Sequence, residues 1–159
     1  MKQKVGKIEL SDITYFSDIA HGTKDKNNCT LNTISGEYVV FIAKSESYER
    51  KDEISSLYAI HKDYLKSYNK IPQNDNEQLW CMAETNLCGF FEKSYFETTH
   101  SADEVDDDWL DKVEDMTETC NNCVITEGKG VFANVDNGKH YIFAEYINGK
   151  AFAIRIKFL

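Results

Sequence analysis

GVFANVDNGKHYIFAEYINGKAFAIRIKFL, residues 130–159, closes the chain and decides how the rest is read. Asn148-Gly149 stands between YIFAEYI and KAFAIRIKF. Asn-Gly is favoured in a two-residue type I′ turn, because both central residues need positive φ. The pair therefore predicts a β-hairpin. With Ile147 and Lys150 flanking the turn, Phe143 faces Ile154 and Tyr141 faces Ile156. The two-residue period of a strand places Phe152, Ile154, Ile156 and Phe158 on one face, with Ala151, Ala153, Arg155 and Lys157 on the other. Asp136-Asn137-Gly138-Lys139 repeats the turn chemistry one strand earlier. VFANV, HYIFAEYI and KAFAIRIKFL thus predict a three-stranded meander, apolar on one face and mixed on the other.

Immediately upstream the period changes. In SADEVDDDWLDKVEDMTET, residues 101–119, Val105, Trp109, Val113 and Met116 recur at steps of four, four and three, with Leu110 beside them. That spacing predicts an amphipathic helix over 101–118. Ser101 followed by Glu104 fits a capping box at its start. The segment carries nine acidic residues and one basic one, Lys112, for a charge of −8. The whole chain carries −9, so the other residues sum to about −1. The protein reads as near-neutral with a single acidic element.

A second helix is expected over about 50–69, within ERKDEISSLYAIHKDYLKSYN (49–69), where Ile54, Leu57, Tyr58, His61, Leu65 and Tyr68 follow three- and four-residue steps. GEYVVFIAK (36–44) reads as a strand after a Ser35-Gly36 turn. QLWCMAE, NLCGFFE and CNNCVITE read as further strands, and KIELSDITYF as one edge strand. Helices and strands do not alternate strictly. The expected class is therefore α+β, with a mostly antiparallel sheet and two amphipathic helices, in a single domain spanning 1–159.

Composition sets the outer bounds. The 159 residues suffice to bury a core without disulfides or metal. The amino-terminal MKQKVGKIELSD has no apolar stretch suited to a secretory signal, and no run approaches the ~18 apolar residues of a membrane span. Five cysteines, an odd number, are expected as reduced thiols. These features predict a cytoplasmic protein that does not act on membranes.

Candidate chemistry is sparse. Cys120-Asn121-Asn122-Cys123 is the one C-x-x-C, but a structural zinc site needs four ligands. Cys81 and Cys88 are too widely spaced to supply a second knuckle. The pair also follows a helix instead of opening one, the wrong end for lowering a thiol pKa. His21, His61, His100 and His140 are scattered, and a packed, hydrogen-bonded imidazole is the expected state of His61. No glycine loop cradles phosphate, and Val135-Asp136-Asn137-Gly138 lacks the spaced carboxylates of a calcium loop. No cofactor is expected. A pI of about 4.9 argues against direct nucleic-acid binding.

SGEYVVFIAK and GKGVFANVDNGKHYIFAEYINGKAFAIRIKFL resemble the two ends of a family of uncharacterised bacterial β-rich domains. In that family a Ser-Gly-led strand comes early, and a Gly-Asp-Gly-x-Tyr turn enters a closing hairpin. DNGKHY stands in place of that turn, and the Asp-Pro that tends to follow the first strand is missing. The resemblance covers about a third of the chain. It implies a β-rich bacterial domain and carries over no catalytic residue.

The acidic segment is what remains to explain. Surface helices usually mix charge signs, since opposite charges four residues apart help and like charges cost. Asp106, Asp107, Asp108, Asp111, Glu114 and Asp115 forgo that support. The expectation is a non-enzymatic interaction protein of the immunity or inhibitor type. Its acidic helix would bind a basic protein, such as a nuclease, with Trp109 in the core. Two alternatives stand beside it. One is an enzyme with a pocket between sheet and helices, lined by Tyr58, His61, Tyr64 and Trp80. The other is a cysteine-based structural zinc domain.

Overall fold

The computed structural model describes residues 2–50, 53–68, 70–73, 79–119 and 123–158. In chain order the strands are β1 (Lys2–Leu10), β2 (Ile13–Asp18), β3 (Cys29–Asn32), β4 (Gly36–Lys44), β5 (Ile54–His61), β6 (Trp80–Ala83) and β7 (Leu87–Glu92). Helices α1 (Lys93–Thr99) and α2 (Asp107–Thr119) follow, then β8 (Cys123–Thr126), β9 (Gly130–Asn134), β10 (Gly138–Ile147) and β11 (Lys150–Lys157). Among the described residues the strands form two antiparallel sheets, ordered β1-β4-β5-β11-β10-β6 and β3-β2-β7-β9-β8. The class is α+β, as the sequence predicts.

The sheets stack face to face around one apolar core. Ile8, Tyr38, Val40, Leu57, Ile142, Ile154 and Ile156 come from the six-stranded sheet, and Phe16, Phe90 and Val131 from the five-stranded one. Backbone bonds stitch the edges: Glu9 donates to the Gly128 carbonyl at 2.8 Å, Met82 to Asn27 at 3.0 Å and Ile34 to Ala151 at 2.9 Å. The outer face of the five-stranded sheet carries α1 and α2 over a second apolar cluster. Over the outer face of the six-stranded sheet, Leu65 and Tyr68 of residues 62–68 and Ile71 of residues 70–73 cover Tyr58, Ile60 and Ala153.

The β10–β11 hairpin forms as read. Ile147 pairs with Lys150, and the turn residues Asn148 and Gly149 have φ of 51° and 80°. Its register then departs from expectation. A bulge between Glu145 and Tyr146 shifts the pairing, so that Phe143 faces Arg155 and Ile142 faces Ile156. The extra residue is Phe152. It turns to the outer face beside Ala153, while Ala151 and Ile154 point into the core. A bulge moves every side chain beyond it by one place.

The three-stranded meander does not form. β9 pairs with β7 and β8 in the five-stranded sheet, and β10 with β11 and β6 in the other. Asp136-Asn137-Gly138 is therefore a corner between sheets. Asn137 Oδ1 accepts from the Asn86 N–H at 2.7 Å, and the Val135 N–H donates to the Asn86 carbonyl at 2.8 Å. This corner is thereby locked against the β6–β7 corner.

Among the described residues of 50–69 the expected helix is absent. Residues 54–61 are β5, central in its sheet and buried almost throughout. A strand covered on both faces loses its alternation, and its continuous apolar run mimics a helical stripe. A single 3-10 turn, Lys62–Tyr64, follows it. The expected edge strand KIELSDITYF is two strands in different sheets, β1 and β2, broken at Ser11-Asp12. β4 has the bounds read from sequence. Gly36 opens it at a φ of +138°, and a Cβ there would come within 2.5 Å of the His61 ring. Only glycine fits both constraints.

Candidate functional site

The helix over 101–118 begins later than expected, at Asp107. Ser101 Oγ does accept from the Glu104 N–H at 3.2 Å, as a capping box requires. But the Ser101 N–H also donates to the Glu104 carbonyl at 2.8 Å, and His100 bridges to Val105. The four residues therefore close a turn instead of starting a helix. Tertiary contacts hold it there: Thr23 and Lys24 donate to the Ser101 and Ala102 carbonyls at 2.8 and 3.1 Å. Helical bonding starts at the Asp106 carbonyl, which accepts from Leu110 at 2.9 Å.

Helix α2 docks through Trp109 and Val113, 6% and 0% exposed, with Leu110 and Met116 at the margin. Phe91, Phe96, Val124 and Phe132 receive them. Trp109 lies edge-on to Phe91 and to His100. Its indole Nε1 donates to Tyr95 Oη at 2.6 Å, and Tyr95 Oη lies 2.6 Å from Thr126 Oγ1. Trp109 is core, as the periodicity indicates.

The same docking decides where the charge points. Asp107, Asp111, Glu114 and Glu118 follow at steps of four, three and four, on the side opposite Trp109 and Val113. Asp108 and Asp115 form a parallel line seven residues apart. All six, and Asp106 before the helix, are exposed. Lys112, the single cation of the segment, is used elsewhere: its Nζ donates to Glu127 at 2.9 Å, which raises the lysine pKa and lowers that of Glu127. Among the described residues no lysine or arginine forms an ion pair with a carboxylate of this helix. The sequence thus singled out the residues that now share this surface. It passed over Glu118, whose position four beyond Glu114 was the available signal. At the head of the helix an open cleft of about 420 Å3 lies against α1 and adds Glu97 and Glu104 to the acidic surface.

The short helix α1 escaped sequence reading because its cap is a glutamate. Glu92 accepts from the Ser94 and Tyr95 N–H groups at 2.7 and 3.0 Å, and from Ser11 Oγ at 2.7 Å. Burial alone would raise its pKa. The Ser11 hydroxyl, the two N–H groups and the Lys129 charge outweigh it and hold the carboxyl below its ordinary range.

The remaining candidates are not drawn into one pocket. Tyr58 lies on the outer face of the six-stranded sheet, and Trp80 on the edge strand β6 under Lys139. His61 lies edge-on to Tyr64, and Tyr64 stacks near Phe152. None of the four belongs to the cluster between sheet and helices, which is filled by aromatic and aliphatic side chains. The His61 imidazole is hydrogen-bonded as expected. Nε2 donates to the Ser35 carbonyl at 2.9 Å, and Nδ1 accepts from Asp63 at 3.1 Å. His100 and His140 donate to the Ile19 and Asp136 carbonyls, at 2.7 and 2.8 Å. Burial lowers both of their pKa values. Cys120 lies outside the described residues, and Cys123 is half-buried on β8. Cys81 and Cys88 meet in the core with sulfurs 3.4 Å apart. Among the described residues no three His, Cys, Asp or Glu side chains gather as a metal site would require. None of the helices formed by those residues is long and apolar enough to cross a membrane.

No protein-family model, curated protein or solved structure matches this chain.

Proposed function

We propose that the protein is a non-enzymatic binding protein, of the inhibitor or immunity type, and that the outward face of α2 binds a basic protein partner. The observation that carries this reading is the uncompensated carboxylate row on a helix fixed by its opposite face. Six carboxylates from Asp107 to Glu118 extend over about 16 Å of helix, roughly one per 3 Å, close to the ~3.4 Å per charge of one nucleic-acid strand. A protein that tracks phosphates offers lysines and arginines at a compatible spacing, so the partner class is a nucleic-acid-handling protein such as a nuclease. The cleft flanked by Glu97, Glu104 and Asp106 extends the surface and accommodates a guanidinium. The reading places the protein in the cytosol. Its support there is the odd set of five cysteines in a chain large enough to fold without disulfides.

The test is a comparative capture from extract of the source cell, using the protein and its Asp107→Lys, Asp108→Lys, Asp111→Lys variant. A basic protein retained by the first and lost by the second is the expected result. Identical retained sets, at low salt and with both proteins folded, would end this reading.

A further inference from the structure

The core between the sheets holds a pair of reactive groups that the acidic face does not use. Cys81 on β6 and Cys88 on β7 belong to different sheets, yet their sulfurs lie 3.4 Å apart. Both side chains are fully buried in the central apolar cluster. A disulfide sets its sulfurs about 2.05 Å apart, so closure would draw each one in by only ~0.7 Å.

The two strands differ in how firmly they are held. β6 is four residues long and forms an edge of the six-stranded sheet, paired with β10. β7 is the middle strand of the five-stranded sheet, between β2 and β9. A bond from Cys81 to Cys88 would therefore anchor an edge strand to the centre of the opposite sheet. The corner between them is already set for it. Asp18 holds the Glu84 and Thr85 N–H groups at 2.7 and 2.8 Å, and Asn86 is bonded to Val135 and Asn137.

The same contact keeps the pair quiet while the core is closed. The hydrogen bond with Cys81, and then burial, push the Cys88 thiol well above its ordinary pKa. The thiolate is the reactive form, so a closed core favours the reduced pair. Local opening is easiest where a strand is short and has few bonds, and β6 is such a strand. Its release exposes Cys81 and uncovers Cys88.

We propose that Cys81 and Cys88 are a redox modification site, which a hydroperoxide converts to a disulfide tying the two sheets together and a dithiol reductant reopens. One thiolate attacks a peroxide oxygen. An S–O bond forms, the O–O bond breaks, and the departing hydroxide takes up the proton the thiol gave, leaving as water when the oxidant is hydrogen peroxide. The second thiol then attacks that sulfur. The S–S bond forms, the S–O bond breaks, and the hydroxyl leaves with the thiol proton as a second water. The two sulfurs lose two electrons in all, and the peroxide gains them. In a reducing cytosol the pair rests as thiols and closes only under oxidant. The acidic helix takes no part, so this site stands or falls independently of the partner reading.

Hydrogen peroxide is the probe, applied to the folded protein and then removed. Remaining thiols are alkylated, and the chain is cleaved after Glu84, which lies between the two cysteines. Only a disulfide then keeps the Cys81 and Cys88 peptides joined. The expected result is that joined pair, with a melting temperature raised by ~4–8 °C and slower amide exchange along β6. Dithiothreitol should reverse all three, which oxidation of methionine would not allow. Cys29 is the neighbouring competitor, since burial and then Cys81 push its thiol up to about 11. Cys29→Ser should keep both the bond and the shift, and Cys81→Ala should abolish the shift. Cys81 and Cys88 both still alkylated after peroxide, either one joined to another cysteine, or a bond that leaves the melting temperature unchanged or lower would each overturn the site. Should Cys81→Ala fail to fold, the peptide map of the protein and of Cys29→Ser decides.

Discussion

Asp18 shows how one residue can hold two sheets in relation. It is fully buried at the end of β2. Its carboxylate accepts from the Glu84 and Thr85 N–H groups at 2.7 and 2.8 Å, from Thr85 Oγ1 at 2.8 Å and from the Ala20 N–H at 2.8 Å. Those donors build the corner where the chain leaves one sheet for the other. Asp18→Ala strips them of their acceptor and is expected to cost roughly 2 kcal/mol, measured as the shift in urea unfolding. Glu92 makes a comparable cap on α1, and its lowered pKa fixes the sign of its pH dependence. A carboxylate with a depressed folded pKa contributes stability that is present above its ordinary value of 4.5 and lost as pH falls through the lower folded value. The advantage of the protein over Glu92→Gln should therefore be full at neutral pH and shrink in acid below that value. Urea titrations across this range check it.

At the scale of elements, α2 separates stability from charge. Trp109 and Val113 supply the docking, whereas Asp111 has like charges at Asp107, Asp108, Glu114 and Asp115, three and four residues away. Each such pair costs a few tenths of a kcal/mol. Asp111→Lys should thus stabilise the fold by about 0.5 kcal/mol or more, while Trp109→Ala should cost ~3–5 kcal/mol. Thermal unfolding of the two variants checks both. The periodic body of α2 was legible because only one of its faces is buried, and β4 and the β10–β11 turn because glycine marks them: Gly36 opens the apolar run of β4, and Asn148-Gly149 makes the turn. Three features were illegible for distinct reasons. β5 is covered on both faces, so its pattern carried no alternation. The bulge at Phe152 lies inside a strand, where no turn residue marks it. α1 is only seven residues long and capped by glutamate, leaving neither a period nor a usual cap to find. Asp136-Asn137-Gly138 shows a further limit: turn chemistry announces a change of direction, but not which sheet receives the next strand.

Over the whole molecule, the one-signed surface is confined to α2. Its carboxylates gather outside the five-stranded sheet, whereas the outer face of the six-stranded sheet mixes Lys2, Lys4, Arg155 and Lys157 with Glu9, Glu37 and Glu145. The acidic residues were evident from composition alone. Their grouping on one uncovered face required the docking of α2. A binding surface made of exposed carboxylates should respond to salt, since the Debye length falls from about 10 Å at 0.1 M to about 3 Å at 1 M. The most direct test of the acidic-face reading is the dissociation constant of the captured partner at two ionic strengths, for the protein and for its Asp107→Lys, Asp108→Lys, Asp111→Lys variant. The account predicts affinity that weakens at least tenfold from 0.05 to ~0.2 M salt and that the variant has largely lost at both. An affinity indifferent to salt and equal in the two proteins would contradict it.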